Sequence, residues 1–315
     1  MADDGVVFVV NPASANGSTG RRWPEIAARA AAVGLHGATL MSERPGDVAA
    51  LTERAVADGA AVIVAVGGDG TVFEAVNGLV RSGAADRVEL AVLPRGTGTD
   101  FVRSLRLPRK LDEAIEVART GTARAIDLGR AHYVAWDGAK GEAYFANFGG
   151  AGISGAIARR ANSTSKAMGG RLSFVWATVA VFARWKSTEI GVAVDGERRS
   201  GPMFEVLAMN GDYTAGGMWA APEAEPDDGL FDVLLIGDVT KADFVVTFPK
   251  IYRGTHLAHP KIECLRGATV TIDAAKPLPI ALDGEQPGTT PVTFSIVPRA
   301  IRVRVPAGGS RPNAS

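Results

Sequence analysis

The chain reads as an α/β half followed by a mainly antiparallel β half, and three observations carry that reading. Apolar, β-branched runs alternate with helical patterns from Gly5 to Leu128, as in a parallel sheet covered by helices. The pattern changes near Asp127 to Gly129, after which β-like segments dominate, several of them separated by Asp-Gly turn signals. At 315 residues the chain is long for one core and comfortable for two. The predicted division is an α/β unit over 1–127, a β unit over 128–306 and a flexible tail over 307–315.

Gly5 to Val10 is continuously apolar, as a strand covered on both faces requires. It runs into Asn11–Gly20, a loop of small polar residues. A helical pattern from Trp23 to Val33 follows, with Gly34 placed to end it. A short strand at Ala38–Met41 precedes a helix from Asp47, read as its cap, to about Asp58. Ala61–Val66 is the next strand; it stops at Gly67-Gly68-Asp69-Gly70-Thr71, and a helix runs from Thr71 to about Val80. Glu74 and Asn77 are read as securing that helix start rather than touching substrate. Leu90–Leu93 breaks at Pro94-Arg95-Gly-Thr97-Gly-Thr99-Asp100-Phe101, and a helix over Leu111–Thr120 leads into a strand at Ala123–Leu128.

In the second half, β segments fall at Tyr144–Phe148, Ile190–Val194, Met203–Met209, Leu230–Ile236, Ala268–Ile272, Pro279–Leu282, Val292–Ile296 and Ile301–Val305. One helical pattern, Gly170–Lys186, interrupts them with Val175, Phe182 and Trp185 on one side. It reads either as a helix packed on the β half or as an apolar wall that meets lipid chains, and the pattern allows both.

Lys plus Arg equal Asp plus Glu at 34 each, so no global field points to nucleic acid as a partner. The lone cysteine, Cys264, excludes an internal disulfide and fits a reducing compartment. It is expected to be a small buried side chain in a strand. The acidic start lacks the basic and apolar regions of a signal peptide, and no run is long enough to span a bilayer. A cytoplasmic protein is expected, with peripheral contact at the inner membrane surface left open. The four histidines show no metal-ligand spacing. Edge strands of the β half leave pairing across a homodimer open.

Chemistry concentrates at the glycine turn. Three glycines around one aspartate, between a strand and a helix, offer free amides and a helix dipole to an anion. An aspartate there suits a magnesium ion or a reacting hydroxyl. The turn is neither a dinucleotide GxGxxG nor a Walker loop, because Asp69 intrudes and the Lys-Ser/Thr is missing. A nucleotide phosphate site carrying its own carboxylate is the expectation.

The ordered motifs are more specific than the turn. Val10-Asn11-Pro12, Gly67 through Leu79 and Pro94 through Val102 stand in that order, followed by Asn147–Gly152, Gly169–Arg171, Gly216–Met218, Asp227–Leu230 and Leu282-Asp283-Gly284-Glu285. Across essentially the full chain this set resembles the diacylglycerol kinase catalytic domain family, which includes bacterial lipid kinases and the sphingosine and ceramide kinases. The resemblance implies an N-terminal α/β domain like that of NAD kinases and phosphofructokinases, a C-terminal β-sandwich, and ATP in the cleft between them. It also implies an ATP- and Mg2+-dependent kinase that phosphorylates a membrane-presented lipid hydroxyl, most readily diacylglycerol to phosphatidic acid.

By the same resemblance, Asn11, Pro12, Ser42, Gly67, Gly68, Asp69, Gly70, Thr71 and Thr97 line the ATP site. Asp69, Asp100 and Asp127 surround magnesium and its waters. Glu285 is the first choice as proton acceptor, with Asp283 beside it and Asp69 second. Asp228 with the carbonyls of Leu230 and Glu225 holds a second, structural magnesium. Two positions depart from the family pattern: Thr99 replaces the usual asparagine, and Arg95 follows Pro94. Arg95 reads either as a solvated loop residue or as a charge for phosphate or an anionic membrane. The alternatives to lipid phosphorylation are a NAD kinase-like activity and a nucleotide-binding protein without turnover.

Overall fold

The computed structural model describes residues 5–96, 99–163, 181–182 and 184–307. They fall into two compact units: residues up to Ile126 together with Arg299 onward, and Asp127–Pro298.

In the first unit, β1 (Val6–Val10), β2 (Ala38–Met41), β3 (Val62–Gly67) and β4 (Glu89–Pro94) pair in parallel in the order β2-β1-β3-β4. Helices α1 (Ser18–Ala32), α2 (Asp47–Ala57), α3 (Asp69–Arg81), α4 (Asp100–Ser104) and α5 (Leu111–Thr120) connect and cover them. Strand alternation gives one face Val6, Phe8, Val10, Val62, Val64 and Val66, which pack with Trp23 and Ile26 of α1 and Ile115 of α5. Phe8 meets Trp23 edge-on at 5.4 Å. The opposite-parity residues Val9, Ile63 and Ala65 are equally buried, which explains why these strands are apolar at every position. Each such valine, isoleucine or phenylalanine contributes about 1.5–3 kcal/mol on burial.

The helix starts differ from the expectation in an instructive way. α3 begins at Asp69, so the glycines and the aspartate are its cap and first turn rather than a loop ahead of it. α1 begins at Ser18. Gly46, not Asp47, caps α2, and the Asp47 carboxylate accepts the amides of Glu43 and Arg44 at 2.9 and 2.7 Å. The α2 start is held instead by Glu74 of α3, whose oxygens accept the amides of Gly46 and Val48, both at 3.0 Å. Glu74 therefore secures a helix start, but that of the neighbouring helix.

The second unit is antiparallel. β5 (Thr122–Ala135) pairs with β6 (Lys140–Phe145) through Gly129–Val134. The long strand β9 (Glu197–Met209) divides its partners: its first half pairs with β8 (Thr188–Val194), and its second half lies between β7 (Phe148–Gly152) and β12 (Phe231–Gly237). β14 (Thr269–Ala274) joins β8 to β16 (Gly288–Val305), and β15 (Ile280–Leu282) extends β7. β10 (Tyr213–Thr214) and β11 (Met218–Trp219) form a separate hairpin. Phe145 stacks on Phe231 at 5.7 Å and meets Phe294 edge-on at 5.4 Å in the core.

Asp195 and Gly196 close the β8–β9 hairpin at φ 46° and 90°, the geometry that Asp-Gly favours in a two-residue turn. The two strands expected at the carboxyl end are one strand, β16. Its last residues, Arg302 and Val303, pair in parallel with Glu89 and Leu90 of β4, and Arg302 and Arg304 form ion pairs with Glu89. Those residues group with the first unit, whereas the sequence placed them with the β half.

Two helices of the second unit, α6 (Ile153–Ser163) and α7 (Lys241–Ile251), have no counterpart in the sequence expectation. Most of the helical pattern over 170–186 lies outside the described residues. Cys264 corrects another expectation: it is exposed, as is its neighbour Glu263, on β13 (Ile262–Gly267), which among the described residues pairs only with β12 and so forms a sheet edge. Desolvation, then the carboxylates of Asp232, Glu223 and Glu263, raise its thiol pKa, which disfavours a nucleophilic thiolate.

Candidate functional site

In the first unit the predicted residues gather at the carboxyl ends of the strands. The order β2-β1-β3-β4 reverses direction between β1 and β3, the switch point at which open α/β sheets bind ligands. Asn11 follows β1 directly. Its amide donates to Val66 O at 3.0 Å, and its Nδ2 donates to Thr71 Oγ1 at 3.1 Å. The loop after β1 is thereby tied to the first turn of α3. Pro12 accepts the Gly20 amide at 3.1 Å. Ser42, just past β2, is buried and donates its amide to Val10 O at 2.9 Å.

Gly67 is demanded by packing: a Cβ there would lie 2.1 Å from Thr71 Oγ1. Gly68, the N-cap of α3, has no side chain to offer its first amides, so an anion is a suitable partner for them. Asp69 sits in that first turn and accepts the Asp100 amide at 3.4 Å. Asp100 is buried at the start of α4. Thr99 is buried too, and its hydroxyl has no hydrogen-bond partner among the described residues. Thr97 lies outside them.

Arg95 is not a solvated loop residue. Its amide donates to Gly67 O at 2.7 Å, and its Nη2 reaches Ser18 Oγ at 3.3 Å. Its Nε is buried without a partner among the described residues. Burial first, and then the neighbouring Arg22, lower its pKa, against a smaller opposing effect of Glu25. A partly buried guanidinium beside the glycine turn, with a hydroxyl as its side-chain partner, is suited to an anionic ligand.

In the second unit one hydrogen-bond network joins several motifs. Asp283 stands at φ 48° and Gly284 at φ 95°, and Leu282 and Glu285 exchange backbone hydrogen bonds of 2.8 Å across them. The Asp283 carboxylate accepts the amides of Ala146, Asn147 and Phe148 at 2.7, 2.9 and 2.9 Å. Glu285 is exposed beyond this anchored turn. Asn210, fully buried, donates Nδ2 to Ala146 O at 2.7 Å and to Asp127 O at 3.0 Å. Asp127 is itself buried and accepts the Gly229 amide at 2.7 Å. Asp228 accepts the Leu230 amide at 3.0 Å and forms an ion pair with Arg266. Arg266 thus supplies the positive charge at the place where the second magnesium was expected.

Among the described residues no group of three or more His, Cys, Asp or Glu side chains is arranged to hold a metal. Magnesium needs only one or two carboxylates besides water and phosphate oxygens, so the Asp69–Asp100 pair fits such an ion. Asp228, with both oxygens engaged and a guanidinium beside it, does not fit a cation in this arrangement.

One titratable residue escaped the sequence reading. Glu205 lies buried in β9, where Ser154 donates its amide and hydroxyl to the carboxylate at 2.6 and 2.7 Å. Burial pushes its pKa up to about 7 against the lowering effect of those bonds. Its signal was a single acid inside the apolar run Met203–Met209.

A model of the diacylglycerol kinase catalytic domain matches residues 5–131, and a model of the YegS C-terminal NAD kinase beta sandwich-like domain matches residues 149–305. The chain belongs to the diacylglycerol kinase catalytic domain family. A diacylglycerol kinase of Staphylococcus carnosus is 25% identical over 299 residues, covering 95% of this chain and 94% of the relative. A crystal structure of a diacylglycerol kinase from Bacillus anthracis matches with a TM-score of 0.71 at 23% identity, covering 98% of this chain and 99% of that one. Yeast NADH kinase complexed with NADH matches at 0.55 and 14% identity, over 97% of this chain and 84% of the yeast chain. At these identities the structural likenesses speak for fold: an N-terminal α/β domain and a C-terminal β-sandwich, as the sequence led us to expect.

Proposed function

We propose that this diacylglycerol kinase family member transfers the γ-phosphate of ATP to a lipid hydroxyl presented at a membrane surface, with diacylglycerol the preferred acceptor and phosphatidic acid the product. The observation that carries the reading is the glycine turn at the β1/β3 switch point, tied by Asn11 to Thr71 and bearing Asp69 in its first helical turn. Phosphoryl transfer needs positioning and charge neutralisation more than covalent chemistry. In this reading the first amides of α3 and the guanidinium of Arg95 hold phosphate oxygens, and Asn11, Pro12, Ser42 and Thr97 complete the nucleotide site. Asp69 and Asp100 hold magnesium, with Asp127 contributing through its waters. When bound, the ion neutralises charge that develops on the phosphate oxygens.

Glu285 accepts the hydroxyl proton, and the exposure of its side chain leaves it accessible to substrate. Asp283, saturated by backbone amides, positions the turn that carries Glu285. A structural magnesium at Asp228, Leu230 and Glu225 requires Arg266 to swing away. The test is transfer of labelled phosphate from Mg-ATP to a panel of hydroxyl lipids in mixed micelles, with NAD as a soluble competitor and Asp69→Ala and Glu285→Ala as controls. Transfer to diacylglycerol that both substitutions abolish is the expected result. No transfer to any lipid, or NAD outcompeting all of them, overturns the reading.

A further inference from the structure

Helix α7 presents its apolar side outward. None of its residues is buried, and Val245 and Val246 are 65% and 64% exposed, followed by Tyr252 at 50%. At about 100° per residue, Ala242, Val245, Val246, Pro249 and Tyr252 share one arc. Phe244 takes the opposite side, where it stacks on Phe182 at 4.1 Å and on Phe248 at 5.0 Å and lies 5.7 Å from Phe204, while Phe248 borders the arc and meets Tyr252 edge-on at 5.9 Å. The helix is held firmly in that orientation. Thr240 and Asp243 form a reciprocal capping box, and Lys261 pairs with Asp243 at 2.9 Å.

Charge at the carboxyl end of the arc has one sign. The exposed side chains of Lys250 and Arg253 form no ion pair among the described residues, and Asp243 is already neutralised by Lys261. An exposed apolar arc with unpaired cations at its carboxyl end matches an anionic lipid surface, with valines and tyrosine among the acyl and headgroup boundary and cations at the phosphates. An 11-residue helix is too short to span a bilayer, so it would lie in the surface plane.

We propose that the outer face of α7, centred on Val245, Val246 and Tyr252 and flanked by Lys250 and Arg253, is the surface by which this protein docks on anionic bilayers. The choice of a bilayer as partner rests in part on the lipid-kinase reading; the patch itself does not. The test is therefore co-sedimentation of the full chain, without nucleotide, with sucrose-loaded vesicles of phosphatidylcholine alone or mixed with phosphatidylglycerol. Wild type should pellet with the anionic vesicles and be released by salt. The V245D/V246D variant should bind about tenfold more weakly or worse. At about a factor of five per cation, K250E/R253E should remove the preference for anionic lipid. All four positions are exposed, so thermal unfolding should match wild type. Turnover of a short-chain, water-soluble diacylglycerol should also be unchanged, which separates this proposal from the kinase reading. Absence of binding to anionic vesicles, or variants that bind like wild type, overturns it. Loss of a solution dimer in V245D/V246D with vesicle binding intact also overturns it and assigns the face to a second copy of the chain.

Discussion

Asp283→Asn separates a residue that holds the active turn from one that performs chemistry. Asparagine tolerates the left-handed backbone at position 283 almost as well as aspartate, so the turn itself is not strained by the change. The side-chain change is costly. Asn147 and Phe148 can still donate to the amide oxygen, but as neutral bonds about half as strong. The new NH2 group then faces the Ala146 amide, donor against donor, where the carboxylate accepted at 2.7 Å. One amide left without an acceptor costs about 1–3 kcal/mol, and weakening the other two adds about 1 kcal/mol, for a total of about 2–4 kcal/mol. In a unit of this size that lowers the unfolding midpoint by on the order of 5–10 °C. Glu285→Gln, at an exposed position, should leave the midpoint unchanged and lower kcat by about 10²–10⁴-fold. The assay is thermal unfolding followed by circular dichroism, alongside steady-state phosphorylation of diacylglycerol. An Asp283→Asn protein that melts with wild type refutes the anchoring role. A Glu285→Gln protein with normal kcat refutes its assignment as base.

Other outcomes follow from the same structure. Arg95→Ala should raise KM for ATP about 10- to 150-fold, the equivalent of one charge-assisted hydrogen bond, while KM for the lipid stays put; an unchanged KM for ATP removes Arg95 from the phosphate site. Gly67→Ala forces a Cβ to within 2.1 Å of Thr71 Oγ1, so nucleotide binding measured by calorimetry should be lost, and retained binding shows that the turn adapts. Glu205 has its folded pKa raised from 4.5 to about 7, so its contribution to stability is full below pH 4.5 and is lost as pH rises through about 7. That amounts to roughly 3 kcal/mol between the two limits. The difference in urea midpoint between wild type and Glu205→Gln should shift across that window, and a pH-independent difference refutes the raised pKa.

The sequence alone determined the class of the fold, because a strand covered on both faces must be apolar at every position and a strand on a one-sided sheet must alternate. It also determined the strand-to-helix glycine turn, since only glycine fits between Gly67 and the Thr71 side chain. What it left undecided are interactions between residues distant along the chain. Glu74 caps a helix 26 residues before it, Asp283 collects amides 135 to 137 residues away, and Arg95 finds Ser18 at a separation of 77. No local pattern encodes such pairs; they exist only once the chain has closed. The two-residue turn at Asp283-Gly284 was legible from its composition. Whether its carboxylate faces water or three amides was decided by where β7 lies, and that placement makes Asp283 an anchor and leaves Glu285 exposed.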